Sequence, residues 1–185
     1  MRTVSAKVSQ LRRFMRDRRF IRFERRFEEG SARGYVLEVG PKFFLMAIQS
    51  GEIRFDGFAC FRIADVRNLR IDPYATFAEA ALKKFKEPIP KKPKISLATI
   101  EVLLSSANEL FPLITIHRET VRPDMCWIGK VEEIRSGQVL LLEINPDATW
   151  EQKVTLYKLA EITSVEFGGE YERALHLVGG TPQRQ

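Results

Sequence analysis

The sequence predicts a mainly β protein with accessory helices, built from two copies of one small unit in tandem. A repeated hexapeptide is the strongest observation, because residues 61–66 and 157–162 agree in chemical class at all six positions. The surrounding signals recur in the same order, since a Gly-x-Val at residues 34–36 is answered by another at residues 129–131. Many segments between these marks alternate apolar and polar residues, as half-buried strands do. An internal repeat constrains architecture more than any single motif, so each copy is predicted as one helix followed by five strands.

The first copy begins with an amphipathic pattern. Val4, Val8, Leu11 and Met15 recur at three- and four-residue steps and predict a helix over residues 5–18. From Phe20 the apolar period drops to two, which predicts strands. Turns rich in glycine, proline and polar residues separate the five predicted strands, at residues 20–27, 35–39, 43–49, 58–63 and 66–71.

A second helix is predicted after these strands, with Asp72 as its N-cap and Pro73 at its first helical position. Its predicted apolar face consists of Tyr74, Phe77, Ala81 and Phe85. Three closely spaced prolines follow and favour extended geometry, which predicts a semi-rigid linker. The predicted domains are a first repeat at residues 1–86, a Pro/Lys-rich linker at 87–95 and a second repeat with a polar tail at 96–185.

The second copy is predicted to begin with Ser96 as a helix N-cap, and Pro112 ends the apolar stripe of that helix. Five strands are then predicted, at residues 113–118, 127–134, 139–144, 153–159 and 162–167. Residues 171–177 are predicted as a short helical or extended segment. The polar tail over residues 181–185 is predicted to be disordered.

This order of elements, together with the Gly-x-Val that opens the second strand of each copy, resembles the Sm-like fold, a small and strongly bent SH3-like barrel. The resemblance covers residues 4–71 and 96–167 and implies two tandem Sm-like barrels. Sm-like RNA binders carry an Asp and an Asn in the loop after the second strand and an Arg-Gly pair before the last strand. Neither copy has these residues, so the uridine pocket of the family cannot be assigned to any position of this chain.

The net charge of +6 is unevenly distributed along the chain. Residues 1–33 carry 11 Lys and Arg against 4 Asp and Glu, a net charge of +7. Residues 83–94 carry a net +5, whereas residues 34–82 carry −1 and residues 95–185 carry −5. A basic segment of this kind is the electrostatic footprint expected for a polyanion. The alternative interpretation is a solvated helix face and a solubilising linker.

The two cysteines, Cys60 and Cys126, stand in apolar contexts without a nearby Cys or His partner. They are predicted to be reduced, buried thiols of an intracellular protein, and we expect a cytoplasmic location. No apolar run approaches the ~20 residues needed to span a bilayer, and the arginine-rich start lacks the apolar core of a secretory signal. The sequence therefore predicts no membrane association.

Two groups of residues are candidate contact sites. Arginines interleaved with aromatic residues suit a nucleic acid, because guanidinium groups neutralise phosphates. The phenylalanines of this segment are spaced for a core, which leaves the arginines as the candidates. The predicted nucleic-acid-binding residues are Arg12, Arg13, Arg16, Arg18 and Arg19. Trp150 falls in a polar turn and is the predicted partner-binding residue. Its alternative is an indole that folds back on its own hairpin.

Catalytic and metal sites are not visible in the sequence. His117 and His176 are the two histidines, and neither belongs to a Ser-His-Asp, Cys-His or metal-ligand pattern. The alternation around His117 predicts that it faces solvent. Asp65 and Glu161 are matched between the copies, and we interpret them as carboxylates that accept backbone N–H bonds in a turn rather than as ligands or bases. We expect no enzyme activity, no cofactor and no metal.

The sequence thus favours a non-enzymatic binding protein whose basic N-terminal segment contacts RNA or another polyanion. The alternative is a protein-interaction or structural module that assembles through its edge strands, either with further copies of itself or with a protein partner.

Overall fold

A computed structural model describes residues 3–27 and 30–182 of the chain. The described part is mainly β, with ten antiparallel strands and four α-helices. The chain divides into two compact units, residues 1–93 and residues 94–185, and this division falls inside the predicted linker. No helix in the described ranges is both long and apolar enough to cross a membrane.

The first unit has the predicted order of one helix, five strands and a second helix. A single 3₁₀ turn, Ile63–Asp65, lies between its last two strands. Its elements are α1 (Val4–Arg16), β1 (Phe20–Arg25), β2 (Ala32–Val39), β3 (Phe43–Gln49), β4 (Phe55–Arg62), β5 (Val66–Ile71) and α2 (Ala75–Lys84).

The second unit has the same order, and a 3₁₀ turn, Leu159–Glu161, lies at the corresponding place. The segment predicted as helical or extended near the end of the chain is a helix. The elements are α3 (Ile100–Leu110), β6 (Ile114–His117), β7 (Cys126–Arg135), β8 (Gln138–Glu143), β9 (Thr155–Lys158), β10 (Ser164–Phe167) and α4 (Glu170–Gly179). Of the predicted disordered tail, residues 183–185 lie outside the described residues.

The strands of each unit form an antiparallel arrangement with the last strand placed next to the first. The order is β5-β1-β2-β3-β4 in the first unit and β10-β6-β7-β8-β9 in the second, so the two orders correspond strand for strand. The sequence led us to expect closed small barrels. The sheet is open instead, because β4 does not pair with β5 and β9 does not pair with β10 in the described structure.

The matched glycines lie at close approaches between strands. A Cβ on Gly34 would stand 2.0 Å from the carbonyl oxygen of Ala47, and a Cβ on Gly129 would stand 2.2 Å from that of Leu142. A shift in the strand register begins two residues after each glycine. It lies between Val36 and Glu38 in β2 and between residues 131 and 133 in β7. Such bulges bend a strand and increase its twist. The Gly-x-Val repeat therefore corresponds to one local backbone geometry present in both units.

In the second unit a side chain completes the hydrogen bonding at this bulge. The Asn108 amide on α3 donates to the carbonyl oxygen of Val131 at 3.0 Å, and its oxygen accepts the Val131 N–H at 2.9 Å. The backbone groups that the irregular ladder leaves unpaired are satisfied in this way, as buried polar groups require.

The first unit has apolar clusters on both faces of its sheet. Because successive side chains of a strand point to opposite faces, Phe20 and Ile21 of β1 belong to different clusters. Ile21 and Phe23 pack with the α1 side chains Leu11 and Phe14. Phe20 packs with Tyr35 and with the α2 side chains Ala78 and Leu82. The helices α1 and α2 therefore cover opposite faces of this sheet.

Four local predictions differ from the structure. The N-cap of α2 is Tyr74, so Asp72 and Pro73, the predicted N-cap and first helical residue, both precede the helix. The α2 face predicted to be buried is exposed, since Tyr74, Phe77 and Phe85 are all more than half accessible, and the helix packs through Ala78 and Leu82. The cap of α3 is not Ser96 but a later residue, Thr99, whose hydroxyl accepts the Val102 N–H at 3.3 Å. In α1 the buried face includes Phe14, which the predicted stripe omitted, whereas Val4 is exposed.

Candidate functional site

The end of α1 and the turn that follows it carry the five arginines that the sequence selected. We call these residues the arginine surface, and all five are exposed. On α1 they lie away from the buried side chains Leu11 and Phe14, because they occupy the opposite face of the helix. The arginine surface consists of Arg12, Arg13, Arg16, Arg18 and Arg19.

The turn after α1 holds Arg18 in a conformation that glycine usually adopts. Arg18 has a φ of 45°, and its N–H donates to the carbonyl oxygen of Met15 at 3.2 Å while the Arg19 N–H donates to that of Phe14 at 2.9 Å. This is the Schellman pattern of helix termination, in which a left-handed residue follows the C-cap. A non-glycine residue there costs about 1–2 kcal/mol. The chain therefore bears local strain at a position that places an arginine on the surface.

One carboxylate partly neutralises the arginine surface. Asp17 lies 3.2 Å from the Nε of Arg16 and 3.7 Å from the Nε of Arg13, and both guanidinium groups remain about three-quarters exposed. Exposed pairs of this kind contribute little to stability. Within the described ranges no ion pair involves Arg12, Arg18 or Arg19. The surface therefore retains most of its positive charge toward solvent.

The other arginines of the basic segment are used inside the unit. The guanidinium of Arg25 lies 5.1 Å from the ring centre of Phe61 and is buried. Arg26 pairs with Asp65 at 3.0 Å, and Arg33 pairs with Asp72 at 3.4 Å. Both of these carboxylates are almost fully buried. The sequence shows how many arginines the segment contains, but it does not show which of them are paired inside the unit and which are exposed.

The matched carboxylates of the hexapeptides hold cations within their own unit. Asp65 accepts from Arg62 at 2.5 Å, and Glu161 accepts from Arg118 and pairs with Lys158 at 3.5 Å. The hydrogen bond from Arg118 lowers the pKa of Glu161 below its usual range. The structural interpretation of these carboxylates is favoured, but their partners are guanidinium and ammonium groups rather than the expected backbone N–H groups.

Arg118 also belongs to an aromatic cluster. Its guanidinium lies 5.1 Å from the ring centre of Trp127 and 5.0 Å from that of Tyr157, which makes two cation–π contacts, and the two ring centres are 5.2 Å apart. The Tyr157 hydroxyl donates to Glu143 at 2.6 Å, and burial raises the pKa of this phenol. The guanidinium of Arg118 and the hydroxyl of Tyr157 both have partners within the second unit, Glu161 and Glu143. The cluster is therefore best explained as a structural element.

Trp150, the predicted partner-binding residue, is half-buried. Its indole N–H points at two carbonyl oxygens at the end of α4, those of Gly179 at 3.1 Å and Gly180 at 3.3 Å. The ring packs against a cluster that includes Ile144 and Leu175. This geometry gives Trp150 a role in fixing the end of α4, and its contact with a partner stays a prediction.

His117 is mostly buried, although the sequence predicted that it faces solvent. Its Nε2 lies 3.4 Å from Glu166 and its Nδ1 lies 3.9 Å from Glu119. Cys126 is its direct cross-strand neighbour. Although Cys126 is exposed as a residue, partial desolvation of its sulfur and the nearby carboxylates raise the pKa of the thiol, which is unfavourable for a nucleophilic thiolate. No group of three or more possible metal ligands occurs among the described residues.

The two thiols differ in environment. Cys60 is fully buried in β4, and burial raises its pKa well above the ordinary value. Cys126 is exposed, contrary to the buried position predicted from its apolar neighbours. Both are free thiols in the structure.

A cleft in the first unit was not anticipated by sequence reasoning. Its volume is about 690 Å³, and its lining joins β1, β2, the turn after β3 and the start of α2. Polar and aromatic side chains from three separate parts of the sequence meet there. They are Arg22, Arg33, Asp72, Tyr74 and Phe77. The sequence holds no motif for this cleft, because tertiary pairing creates it: Arg22 and Arg33 are partners in the sheet, and the Asp72 N–H donates to the Phe20 carbonyl oxygen at 3.1 Å.

Comparison with known proteins adds no assignment. Neither a protein family, nor a curated protein, nor a solved structure matches the chain.

Proposed function

We propose that this chain is a non-enzymatic binding protein that holds RNA or another polyanion on its arginine surface. The observation that carries the proposal is the exposure of all five arginines within eight residues, with Asp17 as the only carboxylate among them. Guanidinium groups neutralise phosphates and release their counterions, which supplies affinity without sequence selection. A cytoplasmic location, where RNA is present and thiols stay reduced, fits this proposal.

The strained turn at Arg18 adds support. A residue with a φ of 45° would usually be glycine, and an arginine there is retained at a cost in stability. Lys86, after the end of α2, has the same geometry with a φ of 58°, so the strain alone is weak support and the charge of Arg18 is tested directly below. Arg13 and Arg16 also suit the negative end of the α1 dipole, so their presence alone is weaker support.

We further infer that the two units are copies of one Sm-like unit. Three correspondences support this inference: the strand order, the bulge in the second strand and the glycine two residues before it. The repeated hexapeptide with its paired carboxylate is a fourth. Function is not carried over with the fold, because the pocket residues of that family are missing from both units.

The experiment measures binding of a single-stranded RNA by the full chain over a range of salt concentrations. For single strands each neutralised phosphate adds about 0.7 to the slope of log affinity against log salt. If three or four arginines engage, raising salt from about 50 to 200 mM should weaken binding roughly 20- to 50-fold. The triple variant R12Q/R13Q/R16Q should bind more weakly and show a flatter slope.

A matched control removes the same charge elsewhere in the first unit. Lys83, Lys84 and Lys86 are exposed at the end of α2, so K83Q/K84Q/K86Q changes the net charge equally. This control should bind nearly as the wild type does, apart from a small loss by long-range attraction. Equal losses in both triple variants would refute the location, and undetectable RNA binding at low salt would refute the polyanion function.

Arg18→Gly separates function from stability. Relief of the left-handed strain should stabilise the fold by about 1 kcal/mol, while loss of one charge should weaken RNA binding and lower the slope by about 0.7. A purely structural arginine would give the gain in stability with no change in binding.

The alternative, assembly through an edge strand, is favoured by one observation at β9. Its outer edge pairs with no other described strand, and Leu156 on it is half-exposed. On β5 the edge is partly blocked, because Gln10 of α1 donates to the carbonyl oxygen of Leu69 at 3.0 Å. Sedimentation of the wild type and of Leu156→Lys distinguishes the two functions. Association that the lysine abolishes, without RNA binding, would favour assembly.

A further inference from the structure

The cleft of the first unit contains two arginines that face each other across neighbouring strands. Arg22 of β1 and Arg33 of β2 are direct partners in the antiparallel register. Like charges in directly opposed positions destabilise a sheet unless a counter-charge lies near. Asp72 supplies one counter-charge, since its Oδ2 lies 3.4 Å from the Nε of Arg33. Two positive charges thus face one described negative charge within the cleft.

Two buried polar atoms in this cleft have no hydrogen-bond partner among the described residues. They are the Nε of Arg22, a donor, and the Oδ2 of Asp72, an acceptor that is attracted to Arg33 without accepting a hydrogen bond. The Asp72 side chain is 1% exposed, and its other oxygen accepts the Tyr74 N–H at 2.7 Å. Because an unsatisfied buried polar group costs free energy, each atom is a favourable place for a ligand group of the opposite kind.

The rim of the cleft is aromatic. Tyr74 is 62% exposed and Phe77 is 64% exposed, although the apolar pattern of α2 predicted both to be buried. The helix α2 packs on the sheet through Ala78 and Leu82 instead, so the rings of Tyr74 and Phe77 can contact a ligand. A planar ring would bury apolar surface against them and stack on their faces. The volume of about 690 Å³ is that of an ordinary ligand cleft.

We propose that this cleft is a binding site for one nucleotide, with its phosphate on Arg22, a ribose hydroxyl donating to Asp72 and its base against Tyr74 and Phe77. Each part of the nucleotide matches one feature of the cleft. The phosphate accepts a hydrogen bond from the unpaired guanidinium N–H, the ribose hydroxyl donates to the unpaired carboxylate oxygen, and the base covers the exposed rings. The site uses none of the residues of the arginine surface, and it stands whether or not the chain binds a polyanion.

The test follows the side-chain Nε–H signal of Arg22 by NMR in the ¹⁵N-labelled full chain, with AMP, adenosine and inorganic phosphate as probes. AMP should shift this signal. Adenosine lacks the phosphate contact and should bind roughly tenfold more weakly, and inorganic phosphate lacks both the ribose and the base contact and should bind more weakly still. The variant Y74L/F77L should weaken AMP binding by a similar factor and leave phosphate binding unchanged. Both rings are exposed, so the fold should tolerate these changes.

Tyr171→Leu is the matched control, because Tyr171 is also an exposed tyrosine at the start of a helix, here α4 in the second unit. It should leave AMP binding unchanged, as should R12Q/R13Q/R16Q, which tests the other proposal separately. Arg22→Gln removes the reporter signal, so its binding is measured by calorimetry, and AMP should bind this variant no more tightly than adenosine does. An Arg22 signal that AMP does not move, phosphate that binds as tightly as AMP, or AMP binding that Y74L/F77L leaves intact would each overturn the proposal.

Discussion

Alanine at Gly34 and Gly129 should destabilise the protein far more than alanine at Gly51 or Gly137. At Gly34 the new Cβ would meet the carbonyl oxygen of Ala47 at 2.0 Å, and at Gly129 it would meet that of Leu142 at 2.2 Å. Real Cβ atoms do not approach within 3.0 Å, so the facing strand must move by about 1 Å at a ladder position. The contact atoms belong to the backbone, and no side chain can rotate away to relieve the clash.

The expected loss of unfolding free energy is the sum of two costs, one from this clash and one from backbone strain. Overpacking of a packed interior costs about 1–3 kcal/mol, and a rigid backbone partner places both glycines at the upper end, about 3 kcal/mol. Gly34 also has a φ of 146°, which adds about 1–2 kcal/mol for an L-residue. We therefore expect a loss of about 4–5 kcal/mol for Gly34→Ala and about 3 kcal/mol for Gly129→Ala.

Two further glycines serve as controls, one for backbone strain without a clash and one for neither effect. Gly137 has a φ of 75° with open space around its Cβ position, so Gly137→Ala measures strain alone, about 1–2 kcal/mol. Gly51 has neither a clash nor a positive φ, and alanine there should be neutral or stabilising by up to about 1 kcal/mol.

Urea unfolding of the four variants gives the free energies. Far-UV circular dichroism reports on both units, and tryptophan fluorescence reports on the second unit, which contains Trp127 and Trp150. The reasoning fails if Gly34→Ala and Gly129→Ala lower the stability no more than Gly51→Ala does. It also fails if Gly137→Ala is as damaging as Gly129→Ala, since strain would then outweigh the clash.

Two other predictions concern titrating groups. In the native protein without reductant, an alkylating reagent should label Cys126 and not the buried Cys60. The labelling rate should still rise above pH 9.0, because the pKa of Cys126 is raised. After unfolding, mass spectrometry should find two labels, and the absence of both would reveal a disulfide. The lowered pKa of Glu161 contributes stability that is fully present above the unfolded value of about 4.5 and is lost as the pH falls through the folded value. The difference in unfolding free energy between the wild type and Glu161→Gln should therefore be constant near neutrality and shrink below about pH 4.5, and a difference independent of pH would contradict this account.

The features that sequence reasoning found are those set by one residue or by neighbours along the chain. The Gly-x-Val repeat marks a close approach that only glycine permits. The hexapeptide repeat identified the matched carboxylates, although the cations that pair with them three residues earlier, Arg62 and Lys158, were not the expected partners. Short-range causes of this kind leave a local pattern. Strand order was harder to obtain, and barrel closure was wrong because no local signal states whether the terminal strands meet.

The face of α2 was mispredicted for a different reason. This helix carries apolar residues on two sides, Tyr74 and Phe77 on one and Ala78 and Leu82 on the other. Periodicity identifies an apolar stripe but does not choose between two. The larger side chains suggested burial, yet the smaller pair fits against Phe20 and Tyr35. The exposed aromatic rim of the cleft, and with it the candidate nucleotide site, was therefore hidden from the sequence.

The structure divides the positive charge of the first 33 residues into two populations with different consequences. Arg25, Arg26 and Arg33 contact an aromatic ring or a buried carboxylate, so they act within the unit and their removal would leave buried groups unpaired. Among the described residues the arginine surface forms ion pairs with Asp17 alone, so its removal should change binding rather than folding. The net +7 of this segment therefore overstates the charge offered to a polyanion, and the salt slope measures the smaller, exposed part.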